Sequence, residues 1–86
     1  MLSADTITTD QIRALRDELY VRDQRVLVGV EGGIDIATDR EAHAWCESAL
    51  NEMCHPERRQ EARRQIVVFA TKRDWALKIL AGVRAL

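Results

Sequence analysis

Residues 61–75 read EARRQIVVFATKRDW, and the fold turns on whether the IVVFAT within them is helix or strand. The residues leading in, from Glu57 to Gln65, are mostly strong helix formers. Ala62, Ile66, Phe69 and Ala70 carry a buried stripe through the segment at helical spacing. Taken alone, IVVFAT has the β-branched and aromatic make-up of a short buried strand, and a short apolar run does not settle the period. We read the region as helix, kink, helix, with helix, strand, helix as the alternative. The spacing of Thr71 and Asp74 predicts an N-cap for the last helix, which carries Trp75, Ile79, Leu80 and Val83 on one face.

Upstream the helical signals are plainer. Thr8 and Gln11 are spaced as a capping box, and Ile7 and Ile12 as the hydrophobic staple that accompanies one. Ile12, Leu15 and Leu19 continue an apolar stripe, so a helix is predicted over 9–22. Thr38 and Glu41 repeat the capping-box spacing ahead of Ala42, Trp45, Cys46, Ala49, Leu50 and Met53, with Trp45 as the expected core anchor. That helix is predicted to stop near Cys54, because Pro56 disfavours a helical residue before it and suits the first position of the next helix.

Residues 25–39, RVLVGVEGGIDIATD, are the second ambiguous stretch. Alternating Val26, Val28, Val30 and Ile34, Ile36 admit a hairpin around Gly32 and Gly33. A short helix ended by those glycines through a left-handed cap explains them equally well. Gly29, Gly32 and Gly33 match neither a P-loop nor a dinucleotide-binding fingerprint, so a phosphate loop is excluded. The fold class that follows is all-α, one small domain over 1–86 with four to five short helices. Its alternative is α+β, with the hairpin at 25–37 and a strand at 65–70.

At 86 residues the chain accommodates one modest core and no separate cofactor domain. Apolar residues at 47% and charged residues at 31% place it among globular chains rather than disordered ones. MLSADTITTDQ has no basic or apolar stretch of a secretory signal, and no apolar run spans a bilayer, so a cytoplasmic chain without membrane contact is expected. Cys46 and Cys54 are too few for a disulfide framework. His43, Cys46, Cys54 and His55 are the one cluster with metal-ligand chemistry, but their spacing guarantees only two converging ligands. Neither a metal, a cofactor nor a catalytic Cys-His pair is expected, and the chain is read as no enzyme.

Charge is the strongest functional clue. Residues 1–54 hold eleven acids against five arginines, and residues 55–86 hold three acids against eight cations, net −6 and +5 in a chain of net −1. The basic set is Arg58, Arg59, Arg63, Arg64, Lys72 and Arg73, with Glu57 and Glu61 interleaved. Such a run is either a solvated helix face or a surface for carboxylates or phosphates. The opposite halves also suit neutralisation within the fold or across a homodimer.

Ile7, Gln11, Ile12, Ala14, Leu15, Arg16 and Glu18, followed by Asp39, Ala42, Ala44 and Cys46, resemble a group of very small helical proteins found in phage and prophage genomes. Their pattern opens I-x-x-x-Q-I-x-A-L-R-x-E, passes a Gly-Asp turn and a valine-containing helix, and reaches an Asp opening a Cys-bearing helix. The resemblance covers residues 7–53. Arg22 stands where the turn glycine is usual, a valine stands where a first cysteine is common, and the basic C-terminal third has no counterpart. The resemblance implies helices and a mobile-element origin, and no activity. The expected function is therefore a non-enzymatic binding protein that occupies a surface of a bacterial protein or ribonucleoprotein complex, an anti-CRISPR inhibitor of host defence being one such form. The alternative is a small DNA-binding regulator that uses residues 58–73 on nucleic acid.

Overall fold

The computed structural model of the chain describes residues 2–27 and 36–82, which form four helices: α1 (Thr9–Leu27), α2 (Ile36–Leu50), α3 (Pro56–Thr71) and α4 (Asp74–Leu80). No strand occurs among the described residues, and the chain is all-α. IVVFAT lies wholly inside α3, so the strand alternative at 65–70 falls. The reason is visible in the burial pattern. Ala62, Ile66, Phe69 and Ala70 are all buried, a face only a helix can assemble from those positions. Residues 25–27 and 36–37 are helical too, which removes both ends of the hairpin drawn at 25–37. Gly29, Gly32, Gly33 and Val83 lie outside the described residues.

Each helix packs on two neighbours in a closed circuit, α1 with α2, α2 with α3, α3 with α4 and α4 with α1. The space they enclose is filled by Ile12, Leu15 and Leu19 of α1, Ala42, Cys46 and Ala49 of α2, the α3 stripe, and Ala76 and Leu80 of α4. Alanines at five of these positions let the helix axes approach closely. Trp45, Trp75, Leu50, Val67 and Ile79 cover this core as partly buried side chains. Trp45 is thus a lid on the core rather than its centre.

The α1 cap forms as its spacing requires. The Gln11 N–H donates to Thr8 Oγ1 at 3.1 Å, the Thr8 N–H donates to Gln11 Oε1 at 2.8 Å, and Ile7 and Ile12 are buried together beneath them. The helix then runs five residues past its predicted end at Arg22, to Leu27. Nothing in that stretch breaks a helix, and Arg22 and Asp23 are both held by α2: Arg22 Nε donates to Asp39 at 3.2 Å and Arg40 Nε donates to Asp23 at 2.8 Å.

Three other boundaries differ from expectation. α2 begins at Ile36, so Thr38 lies inside the helix and the Thr38–Glu41 spacing is not its cap. α2 ends at Leu50 rather than near Cys54, because Asn51 Oδ1 accepts from the Met53 N–H at 2.9 Å and turns the backbone aside. Met53, expected on the apolar face, is consequently 92% exposed. Thr71 does not cap α4. Its hydroxyl donates back to the Val68 carbonyl at 2.9 Å within α3, and Arg73 holds the N-cap position without a side-chain capping bond. Pro56 opens α3 as predicted, behind His55, whose Nδ1 accepts from the Glu57 N–H at 3.2 Å.

Candidate functional site

The six basic residues divide into two sets. Arg59 Nε donates to the Ala49 carbonyl at 3.3 Å, satisfying an acceptor in the last turn of α2. Arg63 donates to the carbonyl oxygens of Ala4, at 2.8 Å, and of Ile7, tying the segment ahead of α1 onto α3. Gln60 adds a bond to Asp5 at 3.0 Å. Arg73 donates to the Phe69 carbonyl at 3.3 Å and lays its guanidinium 4.2 Å from the centre of the Phe69 ring. These three arginines hold the fold.

The other three face outward. Arg64 pairs with Glu61 at 2.7 Å across an exposed turn, and Arg58 and Lys72 are exposed with no ion-pair partner among the described residues. Arg58 sits in the first turn of α3 next to Glu57, and Lys72 follows the last residue of α3, with Glu61 between the two cations. Hydrogen bonds from Gln65 and then Arg64 hold the Glu61 carboxyl below its ordinary range, so it remains an anion among the cations. The set does not merge into one continuous basic stripe.

Beside it lies an open groove of about 380 Å³ between α2 and α3. α3 runs back along α2, since Arg59 in its first turn reaches Ala49 near the end of α2 while Lys72 beyond its last turn lines the groove with Thr38. Each wall uses one helical stripe of positions i, i+3, i+4 and i+7. On α2 these are Thr38, Glu41, Ala42 and Trp45; on the other wall they are Gln65, Val68 and Phe69 of α3 and Lys72 just past its end, with Arg73 beside them. Buried Ala42 and Phe69 make the floor, and Trp45 and Val68, the latter 48% exposed, make apolar walls. Glu41 stands on the α2 rim and Lys72 on the α3 rim, both exposed and neither ion-paired among the described residues.

Sequence reasoning named Lys72 and Arg73 among the partner-binding residues but did not foresee Glu41, Trp45 and Val68 as a surface beside them. Val68 was legible in principle, because it falls opposite Ala62, Ile66 and Ala70 once the segment is helical. Glu41 was hidden by its capping-box spacing. The Arg22–Asp39 pair was not legible, since the two residues are 17 positions apart on different helices.

The remaining candidates have other roles. Cys46 is fully buried, and burial first, then the nearby Glu47 charge, pushes its thiol up to about 12 against an opposing effect of Arg16, which makes it inert as a nucleophile. His43 lies 3.7 Å from Glu47 on its own helix, and His55 is the α3 cap. Among the described residues no group of three or more His, Cys, Asp or Glu side chains is placed to hold a metal ion, and no helix is long and apolar enough to cross a membrane. No family model, curated protein or solved structure matches the chain.

Proposed function

We propose that the protein is a non-enzymatic binding module that seats a segment of a protein partner on the α2/α3 groove. The observation that carries this reading is the groove's make-up: exposed Val68 and half-buried Trp45 over an apolar floor, edged by the unpaired charges of Glu41 and Lys72. Helix-in-groove recognition uses apolar anchor positions of this kind about two turns long, and here polar and charged side chains of the same walls alternate with them. The phage-like opening motif supports a bacterial protein or ribonucleoprotein complex as the target, with inhibition of a host defence system, as by an anti-CRISPR, as the specific form. Arg58, exposed on the same helix without an ion-pair partner among the described residues, is available to an acidic flank of that target.

The DNA-binding alternative draws less support, because Arg59, Arg63 and Arg73 already donate to backbone carbonyls and the remaining cations are flanked by Glu57 and interrupted by Glu61. A phosphate-tracking face needs its cations free and contiguous. Val68→Glu combined with Lys72→Glu is expected to abolish capture of the target from a bacterial lysate while leaving the thermal melt unchanged. Undiminished capture by that variant sinks the groove reading. Binding to random duplex DNA that weakens steeply with salt transfers the function to the regulator.

A further inference from the structure

We infer that, without its target, the α2/α3 groove is covered by a second copy of the same chain. The inference rests on the reading of this face as a protein-binding surface and adds the identity of one occupant. Its argument is charge self-complementarity. An acid, Glu41, stands on one wall and a base, Lys72, on the other, and neither finds an ion-pair partner within the described chain. A two-fold axis running along the groove sets α2 of one copy over α3 of the other. That single operation sets the Glu41 wall of each copy against the Lys72 wall of the other, with Trp45 of one copy and Val68 of the other on the facing ridges. An isologous contact demands a patch that complements itself in this way, and a patch of one sign does not.

Two further properties fit. The chain's net charge of −1 puts little overall repulsion between copies. The contact also removes from water the 48% of Val68 that the monomer leaves exposed, on a face where each helix offers the same i, i+3, i+4, i+7 ridge to its counterpart. Self-pairing and target binding then compete for one face, so the target must displace a copy.

Sedimentation equilibrium of the full chain from about 1 µM to about 1 mM tests this, a range that covers weak isologous contacts. Concentration-dependent dimerisation is expected, with Val68→Glu abolishing it. Glu41→Lys or Lys72→Glu alone should weaken it by about tenfold or more through paired like-charge contacts. The double variant Glu41→Lys/Lys72→Glu should restore dimerisation, a rescue that misfolding or a general charge effect does not give. A chain that is monomeric throughout the range, or single reversals that leave dimerisation unchanged, or a double variant that stays monomeric, each overturns the self-pairing. If the chain is monomeric yet Val68→Glu with Lys72→Glu loses target capture, the groove reading stands and only the second copy is removed as occupant.

Discussion

Two ion pairs of the same chemistry sit in opposite settings. At the corner where α1, α2 and α4 meet, Arg22 bonds Asp39, whose side chain is 7% exposed, and stacks its guanidinium 4.3 Å over the Trp75 ring. Trp75 in turn meets Phe69 edge to face at 5.9 Å, and Arg73 covers Phe69, so one chain of contacts joins all four helices. On the outer face of α3, Arg64 and Glu61 approach more closely, 2.7 Å against 3.2 Å, yet both are about half in water, at 56% and 43% exposed. Distance does not rank them; desolvation does. An exposed pair exchanges water contacts for each other at almost no net gain, whereas a buried carboxylate that loses its only partner has nowhere to go. Asp39 sharpens the point, because its Oδ1 is buried without a hydrogen bond and Arg22 supplies the one bond its side chain makes among the described residues.

The largest break is therefore Arg22→Ala, which leaves Asp39 buried and unpaired and removes the stack on Trp75. A loss of about 3 kcal/mol is expected in urea melts, with coupling above ~1 kcal/mol in a cycle with Asp39→Ala. A loss under ~1 kcal/mol would place this pair with the exposed ones.

The same contrast extends to titration. Cys46 binds its proton more tightly folded than unfolded, so stability is fully present below its ordinary value of 9.0 and is lost as pH rises toward about 12. The expected decline is about 1 kcal/mol per pH unit across that window, and Cys46→Ala should flatten it. Equal declines in both chains would assign the alkaline loss to other groups. Native alkylation should accordingly label the less buried Cys54 ahead of Cys46.

Arg63→Ala leaves the Ala4 and Ile7 carbonyls without their donor, at an expected cost of about 1–2 kcal/mol. Thr8→Ala removes one half of the α1 capping box and should cost ~1 kcal/mol. At the small end, Arg64→Ala is expected to change stability by less than about 0.5 kcal/mol. A cost for Arg64→Ala equal to that of Arg63→Ala, measured in the same melts, would erase the distinction between inward and outward arginines on α3.

How far each feature was legible follows from the range of the interaction that produces it. The Thr8–Gln11 box, the Ile7–Ile12 staple and the Pro56 start close within four or five residues of backbone, and all three stand where spacing put them. The same spacing misled at Thr38–Glu41 and Thr71–Asp74, because hydroxyl and carboxylate pairs three apart also occur on solvated helix faces and at helix ends. Of the basic residues, spacing alone did not tell which faced inward. Arg63 reaches Ala4 across 59 positions and Arg59 reaches Ala49 across ten, contacts set by how the helices stack.

By itself, then, the sequence determined the helical class, the buried stripes and the local starts of α1 and α3, all consequences of periodicity and of hydrogen bonds between near neighbours. Tertiary structure alone decided that α1 continues to Leu27, that Asp39 is buried against Arg22, that three of six basic residues serve the fold, and that Val68 and Trp45 open between Glu41 and Lys72 as a groove. The physical reason is that burial belongs to the assembled surface. A charged or apolar side chain acquires its energetic worth from what excludes water around it, and those neighbours come from other helices.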